Sequence, residues 1–133
     1  STSEAPPCLL EYHMSRKPKV QTTTGDVTLS DRDADHLVII NTTDDTVTLP
    51  PASARRAGIT VTVVVAAVSV TTGASINPYA GDIIRGKDIT ALADKNIINS
   101  AATDAVGDMI RLVSDGALGW WITDLRGTWA REA

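Results

Sequence analysis

The sequence feature that most constrains the fold is the uncharged, β-branched run at residues 58–70, which reads GITVTVVVAAVSV. Val, Ile and Thr lose side-chain freedom in a helix but pack well on a pleated sheet. The run also lacks the polar stripe that a surface helix needs, so it predicts a strand buried in a sheet. The small pair Ala66 and Ala67 predicts a bend that divides the run into strands at residues 59–66 and 68–71.

Short Thr- and Val-rich runs continue along the chain, separated by Gly, Asp and Asn. The clearest are residues 27–29, 36–41, 46–49, 109–114 and 120–125, and the pair Asp115 and Gly116 predicts a hairpin between the last two. About eight to ten strands at spacings of roughly 8–12 residues are typical of antiparallel folds. Because no long stretch has helical periodicity, we predict an all-β domain, either an antiparallel, jelly-roll-like β-sandwich or a barrel.

Residues 1–20 differ from the rest and predict an extended N-terminal arm, with the β-domain occupying residues 21–133. The prolines of this segment oppose regular strand pairing. Its centre is nevertheless apolar, so we expect the arm to dock onto a neighbouring subunit; a frayed terminus and a tail packed on its own domain are the alternatives. The arm residues expected to make the contact are Pro6, Pro7, Leu9, Leu10, Tyr12 and Met14.

Composition narrows the range of partners. The net charge of −4, without clusters of Lys and Arg, predicts that nucleic acid is not a partner. No window approaches the roughly 18 apolar residues of a membrane span, and the opening STSEAPP lacks the basic and apolar regions of an intact signal peptide. A single cysteine, Cys8, excludes an internal disulfide and fits a reducing cytoplasm. Aromatic residues make up only 4%, which predicts a thin aliphatic core and added stability from oligomerisation.

The sequence contains few residue patterns that are typical of catalytic or metal-binding sites. Its two histidines, His13 and His36, lack the spacing of a zinc site, and no G-x-S-x-G nucleophile motif occurs. The acidic triplet at residues 31, 33 and 35 resembles the start of a calcium loop, but His36 and Thr42 stand where that loop needs Gly and Glu. We expect the aspartates to shape turns. The sequence therefore predicts no enzyme activity and no catalytic, cofactor-binding or metal-binding residues.

The tryptophans suggest a surface contact. Neighbouring residues on a strand point to opposite faces, so Trp120 and Trp121 predict one ring in the core and one at an interface. An exposed ring that binds sugar is the alternative. The residues predicted at a subunit interface are Trp120, Trp121 and Trp129.

Two motifs, TVTLP at residues 46–50 and GDMIRLVSDGALGWWITDLRGTW at residues 107–129, resemble those of small β-domains in tailed-bacteriophage virions. The resemblance covers residues 27–129 and implies a capsid decoration, or cement, protein. Such a protein binds the major capsid protein on the outside of the head as a homotrimer and stabilises contacts between capsid subunits. It would be made in the host cytoplasm and reside in the virion at the capsid surface. A tail-fibre or spike module that binds a receptor or glycan is the alternative.

Overall fold

A computed structural model describes residues 17–30, 34–53 and 57–133, and every regular element in these residues is a β-strand. The all-β class is therefore confirmed. The strands are β1 (Lys19–Thr22), β2 (Val27–Thr28), β3 (His36–Ile40), β4 (Thr46–Thr48), β5 (Thr60–Val65), β6 (Gly73–Asn77), β7 (Ile83–Arg85), β8 (Ile97–Ser100), β9 (Met109–Ser114), β10 (Gly119–Arg126) and β11 (Trp129–Arg131).

The strands form two sheets that face each other in a β-sandwich-like arrangement. Sheet A has the order β1-β3-β5-β9-β10-β7, and sheet B has the order β11-β8-β6-β4-β2. Up to β8 the chain changes sheet after every strand. Over the first six strands, successive strands of the same sheet run in the same direction. β1, β3 and β5 are therefore parallel neighbours, as are β2, β4 and β6.

The later strands close the domain largely by antiparallel pairing. The hairpin of β9 and β10 packs beside β5, and β8 lies between β6 and β11. The sheets are therefore mixed, whereas the sequence predicted antiparallel strands, and a jelly roll would not contain these parallel neighbours. The expectation fails because a parallel pair normally needs a crossover helix. Here a strand of the opposite sheet serves as the crossover.

The core lies between the sheets and is mainly aliphatic, as its composition predicted. On β5, Val61, Val63 and Val65 are buried while the alternate residues are only partly buried, which is the period of two expected of a strand. Trp120 fills the centre of the core without any exposed surface. The other buried hydrophobic residues are Leu29, Val38, Ile40, Val47, Leu49, Ala52, Ile59, Ala74, Ile76, Ile84, Ile97, Ile110, Leu112 and Trp129.

The predicted second strand at residues 68–71 is wrong: β5 ends at Val65 and the next strand begins at Gly73. Within the intervening loop, the main-chain N–H of Ser69 donates to the Asp104 carboxylate at 2.7 Å. The Ser69 hydroxyl accepts from the main-chain N–H of Asp44 at 2.9 Å. These bonds hold the segment to neighbouring loops instead of to a strand.

Aspartate side chains hold many of the loops in place. The Asp44 carboxylate accepts from the main-chain N–H groups of Thr72 and Gly73, both at 2.8 Å. The buried Asp45 carboxylate accepts from the hydroxyls of Thr23, at 2.5 Å, and Thr42. Further carboxylates accept main-chain N–H groups from distant residues at Asp26, Asp35, Asp82, Asp94 and Asp104. Such bonds satisfy amides that the sheets leave unpaired.

We predict that Gly73→Ala destabilises the domain more than Gly81→Ala does. Both glycines have positive φ angles, +115° and +89°, so an alanine is strained at either position. A Cβ at Gly73 would also lie 1.9 Å from the carbonyl oxygen of Asn99, whereas one at Gly81 meets no atom within 4 Å. We expect the Gly73 variant to lose about 3 kcal/mol or more in urea unfolding and the Gly81 control about 1 kcal/mol. Equal losses would contradict the close approach of β6 and β8.

We also predict that acid weakens the hydrogen bonds that the Asp44 carboxylate accepts from Thr72 and Gly73. Main-chain hydrogen bonds from Gly73 and Thr72 lower the pKa of this carboxyl below its ordinary value of 3.8. Its contribution to stability is therefore complete above pH 3.8 and is lost as the pH falls through its folded-state pKa. Burial raises the pKa of Asp82, which gives that group the opposite dependence. Urea unfolding at pH 7 and pH 3 should show a smaller acid loss for Asp44→Asn than for the unmodified chain.

Candidate functional site: the outer face of sheet A

The outward-facing residues of the two sheets differ in character. On sheet B they are mostly small and polar, as expected where a sandwich meets solvent. Pairing places Thr46 beside Ser75 and Thr48 beside Asn77. The outer face of sheet B therefore has the ordinary composition of a solvated surface.

The outer face of sheet A is apolar over much of its area. Leu37 and Ile39 on β3, Val64 on β5, and Met109 and Val113 on β9 are only partly buried. Two further apolar residues extend the surface to strands on either side, with exposures of 62% for Val20 and 46% for Trp121. Apolar residues that stay accessible across a whole sheet are typical of an interaction surface.

Strand register arranges these side chains in rows, because directly paired residues share a face. The first row runs across sheet A through Thr60, Val113, Trp121 and Arg85. The second runs through Val20, Leu37, Thr62, Arg111 and Asp124, and the third through Thr22, Ile39, Val64, Met109 and Arg126. We call the residues of these three rows the A face.

Trp121 packs against Arg85 at one side of the A face. The Arg85 guanidinium lies 4.4 Å from the centre of the Trp121 ring and also forms an ion pair with Asp115. The same carboxylate accepts main-chain N–H groups of the hairpin loop, including that of Ala117 at 2.7 Å. Gly119 permits the close approach of β7, because a Cβ there would lie 1.9 Å from the Ile83 carbonyl oxygen. A preorganised aromatic ring loses little entropy when it binds a partner.

The electrostatics of the Asp115 carboxyl agree with this arrangement. Burial opposes its ionisation, but hydrogen bonds from the main-chain N–H groups of Gly119, Ala117 and Leu118, together with the charge of Arg85, outweigh that effect. The pKa of Asp115 is consequently below its ordinary value. The carboxylate is therefore ionised at neutral pH and keeps Arg85 over the ring.

The charged residues of the A face are three arginines and one aspartate, although the chain has a net charge of −4. Arg111 is exposed at the centre of the face, where its Nε lies 3.4 Å from the Thr62 hydroxyl. Beside it a shallow cavity of about 440 Å³ is lined by residues including Pro18, Leu37 and Arg111. The A face thus combines apolar side chains with positive charge.

The structure separates the three tryptophans that the sequence placed at an interface. Trp121 faces outward and Trp120 inward, so the predicted alternation is confirmed. Trp120 is fully buried and Trp129 is 7% exposed, so within the protomer both rings pack in the core. The predicted arm contacts, from Pro6 to Met14, lie outside the described residues.

The aliphatic part of the A face was not predicted from the sequence. Its signal was the continuous apolar character of HLVII and TVTVVV, in which both faces of the strand carry hydrophobic residues. Such runs are typical of strands buried on both sides. In the described part of the chain, however, only the inward residues of β3 and β5 are fully buried. The outward residues of β3 and β5 are therefore partly exposed in the protomer.

Neither a metal-binding cluster nor a membrane-spanning helix is found in the described ranges. No group of three or more His, Cys, Asp or Glu residues there could hold a metal ion. Nor do those ranges include a helix with the length and apolar character that crossing a membrane requires.

No protein-family model matches this chain, and no curated protein matches its sequence.

We predict that Trp121→Ala and Trp120→Ala have very different effects on stability. Removing the exposed Trp121 ring eliminates its contact with Arg85, for which a loss of about 1 kcal/mol is expected. Removing the buried Trp120 ring leaves a large core cavity, with an expected loss of about 3–5 kcal/mol. Urea unfolding followed by circular dichroism measures both. A large loss for Trp121→Ala would show that this ring serves the fold instead of a surface.

Proposed function

We propose that this chain is a bacteriophage capsid decoration protein that binds the outside of the head as a homotrimer and stabilises contacts between major capsid protein subunits. The observation that carries the proposal is the A face, an apolar and arginine-bearing surface on a rigid domain. The resemblance of residues 27–129 to virion β-domains supports the choice of a phage particle as the larger assembly.

The A face suits attachment to a shell because its apolar side chains gain free energy when they leave water, at about 25 cal/mol per Å² of apolar surface. Its arginines favour a capsid surface that carries carboxylates. Trp121 and Arg111 are the expected anchors, since Trp and Arg dominate the binding energy of many interfaces. The partner surface that fits best is therefore apolar and carries a carboxylate opposite Arg111.

Stabilisation of a capsid in this way is mechanical and needs no chemical step. A trimer presents three A faces, so each contact can be weak while the whole assembly dissociates slowly. The arm at residues 1–20 would add contacts to a neighbouring capsid or decoration subunit. Because aspartate carboxylates hold loops of the domain by hydrogen bonds, these loops lose little conformational freedom on binding.

We predict that purified chain binds emptied, expanded phage capsids and raises their melting temperature. The double variant Arg111→Glu/Trp121→Ala should bind at least about tenfold more weakly, because it removes an anchor and reverses a charge. Sedimentation of capsids with bound chain measures the affinity, and calorimetry measures the melting temperature.

The matched control is Ala130→Glu, which places an acidic residue at an exposed position on the outer face of sheet B. Its binding should equal that of the unmodified chain. If the A-face double variant saturates capsids like this control, the A face is not the attachment surface. If the unmodified chain neither binds capsids nor changes their melting temperature, the decoration function is wrong.

A fibre or spike module that binds a glycan is the second candidate. The observation that favours it is the exposed Trp121 ring, which Arg85 holds in one orientation. Binding to purified surface polysaccharide that is lost in Trp121→Ala, without binding to capsids, would favour this candidate over the first.

A further inference from the structure

The edge of sheet A beside β7 is incomplete. β10 runs from Gly119 to Arg126, but β7 pairs only with its first three residues, ending at the pair Arg85 and Trp121. After Arg85 the chain passes Ile122 at Gly86, where an added Cβ would lie 3.0 Å from the Ile122 Cβ, and then turns, with the Ile89 N–H donating to the Gly86 carbonyl at 3.2 Å. In the part of the chain that the structure describes, residues 122–126 therefore pair with β9 alone. No strand of the described chain pairs with their other side, and the Leu125 N–H donates to the Asp124 carboxylate at 2.9 Å.

A groove lies beside this open edge. It has a volume of about 360 Å³ and is lined by the apolar residues Ile89, Ile122 and Leu125, together with Lys87, Asp88, Thr123 and Asp124. Leu125 is 38% exposed at the edge of the groove. An open strand edge beside apolar side chains is a site at which another strand can add. The groove offers space for the side chains of an added strand, and no strand of the described chain occupies the edge.

We propose that residues 9–14 of a second copy of the chain add to this edge as a strand. The segment reads LLEYHM and is followed by Ser15, so apolar and polar residues alternate strictly from Leu10 onward. Leu10, Tyr12 and Met14 consequently share one face of an extended strand, while Glu11 and His13 share the other. The apolar face fits the groove lined by Ile89, Ile122 and Leu125.

The length of chain before β1 explains why the added strand comes from another copy. The described chain begins just before β1, which lies at the opposite edge of sheet A from β7. Five strand spacings of about 4.8 Å separate these edges, or roughly 24 Å. The four residues from Met14 to Pro18 span at most about 14 Å, and the six from Tyr12 to Pro18 at most about 21 Å. The chain's own Tyr12 and Met14 therefore cannot reach the groove, whereas those of a neighbour can.

When each copy adds residues 9–14 to the sheet edge of the next copy, the contact is head-to-tail. Such contacts close into a ring when the rotation between copies permits. A ring of three would give the proposed homotrimer. The inference concerns self-association of the purified chain and holds whether or not the assembly binds a capsid.

Analytical ultracentrifugation of the full chain tests the proposal with variants on both sides of the contact. Leu125→Asp alters the proposed acceptor edge, and Tyr12→Asp alters the proposed donor segment. Each should weaken self-association at least about tenfold, and deletion of residues 1–15 should abolish it. Val70→Asp changes a side chain that is 79% exposed in a different loop and should leave association unchanged. A chain that stays monomeric, or one whose assembly survives all three donor and acceptor changes, overturns the proposal.

Cysteine pairing tests the identity of the occupant in a Cys8→Ser background. Mixing a Tyr12→Cys chain with a Leu125→Cys chain should give a disulfide-linked pair under mild oxidation. His13→Cys in place of Tyr12→Cys should link much less, because that side chain points away from the groove. If a single chain carrying both cysteines forms only an internal disulfide at all concentrations, the arm occupies its own domain and the second-copy assignment is wrong. Capsids are absent from these experiments, so their outcome is independent of the proposed function.

Discussion

The structure depends on aspartate carboxylates that accept main-chain N–H groups from loops distant in sequence. The chain changes sheet after almost every strand, so its loops lie beside loops from other turns of the fold. Asp44 bonds to Thr72 and Gly73, and Asp104 bonds to Ser69. Each bond gives a hydrogen-bond partner to a main-chain N–H that lies outside the strand pairing, and it fixes the distance between two loops. Strands as short as β2 and β4 can pair in a stable register because the loops beside them are held in this way.

This use of acidic residues also shapes the surface. Many of the aspartates lie in loops at the ends of the sandwich, where their negative charge is engaged with main-chain dipoles. Sheet A consequently presents Arg85, Arg111 and Arg126 among aliphatic side chains on a protein that is acidic overall. Attraction to an acidic, apolar partner can therefore coexist with a net negative charge. The same scaffold leaves one side of residues 122–126 without a partner strand in the described chain, and this is the edge at which we propose that the chain self-associates.

Sequence patterns located most of the strands but not their pairing. The hairpin of β9 and β10 was predicted correctly because Asp115 and Gly116 form a local turn between alternating runs, and Gly116 has a φ of 79°. β6 was missed because GASIN contains small and polar residues, so its burial arises from packing against other strands. Parallel pairing was missed because its usual local signal is a helix, and here a strand of the other sheet provides the crossover. The A face was missed because apolar runs predict burial without saying what covers each side.

The sequence by itself determined the all-β class, the aliphatic core and the opposite orientations of Trp120 and Trp121, because these follow from side-chain shape and a period of two along each strand. It also contained the alternation at residues 10–15 that suits an added strand. Only the tertiary structure decided that β1, β3 and β5 are parallel, that Trp129 is buried, and that Val20, Leu37 and Arg111 form one row. Those properties depend on which strands become neighbours. That choice is made by contacts between residues far apart in the chain, which no local pattern records.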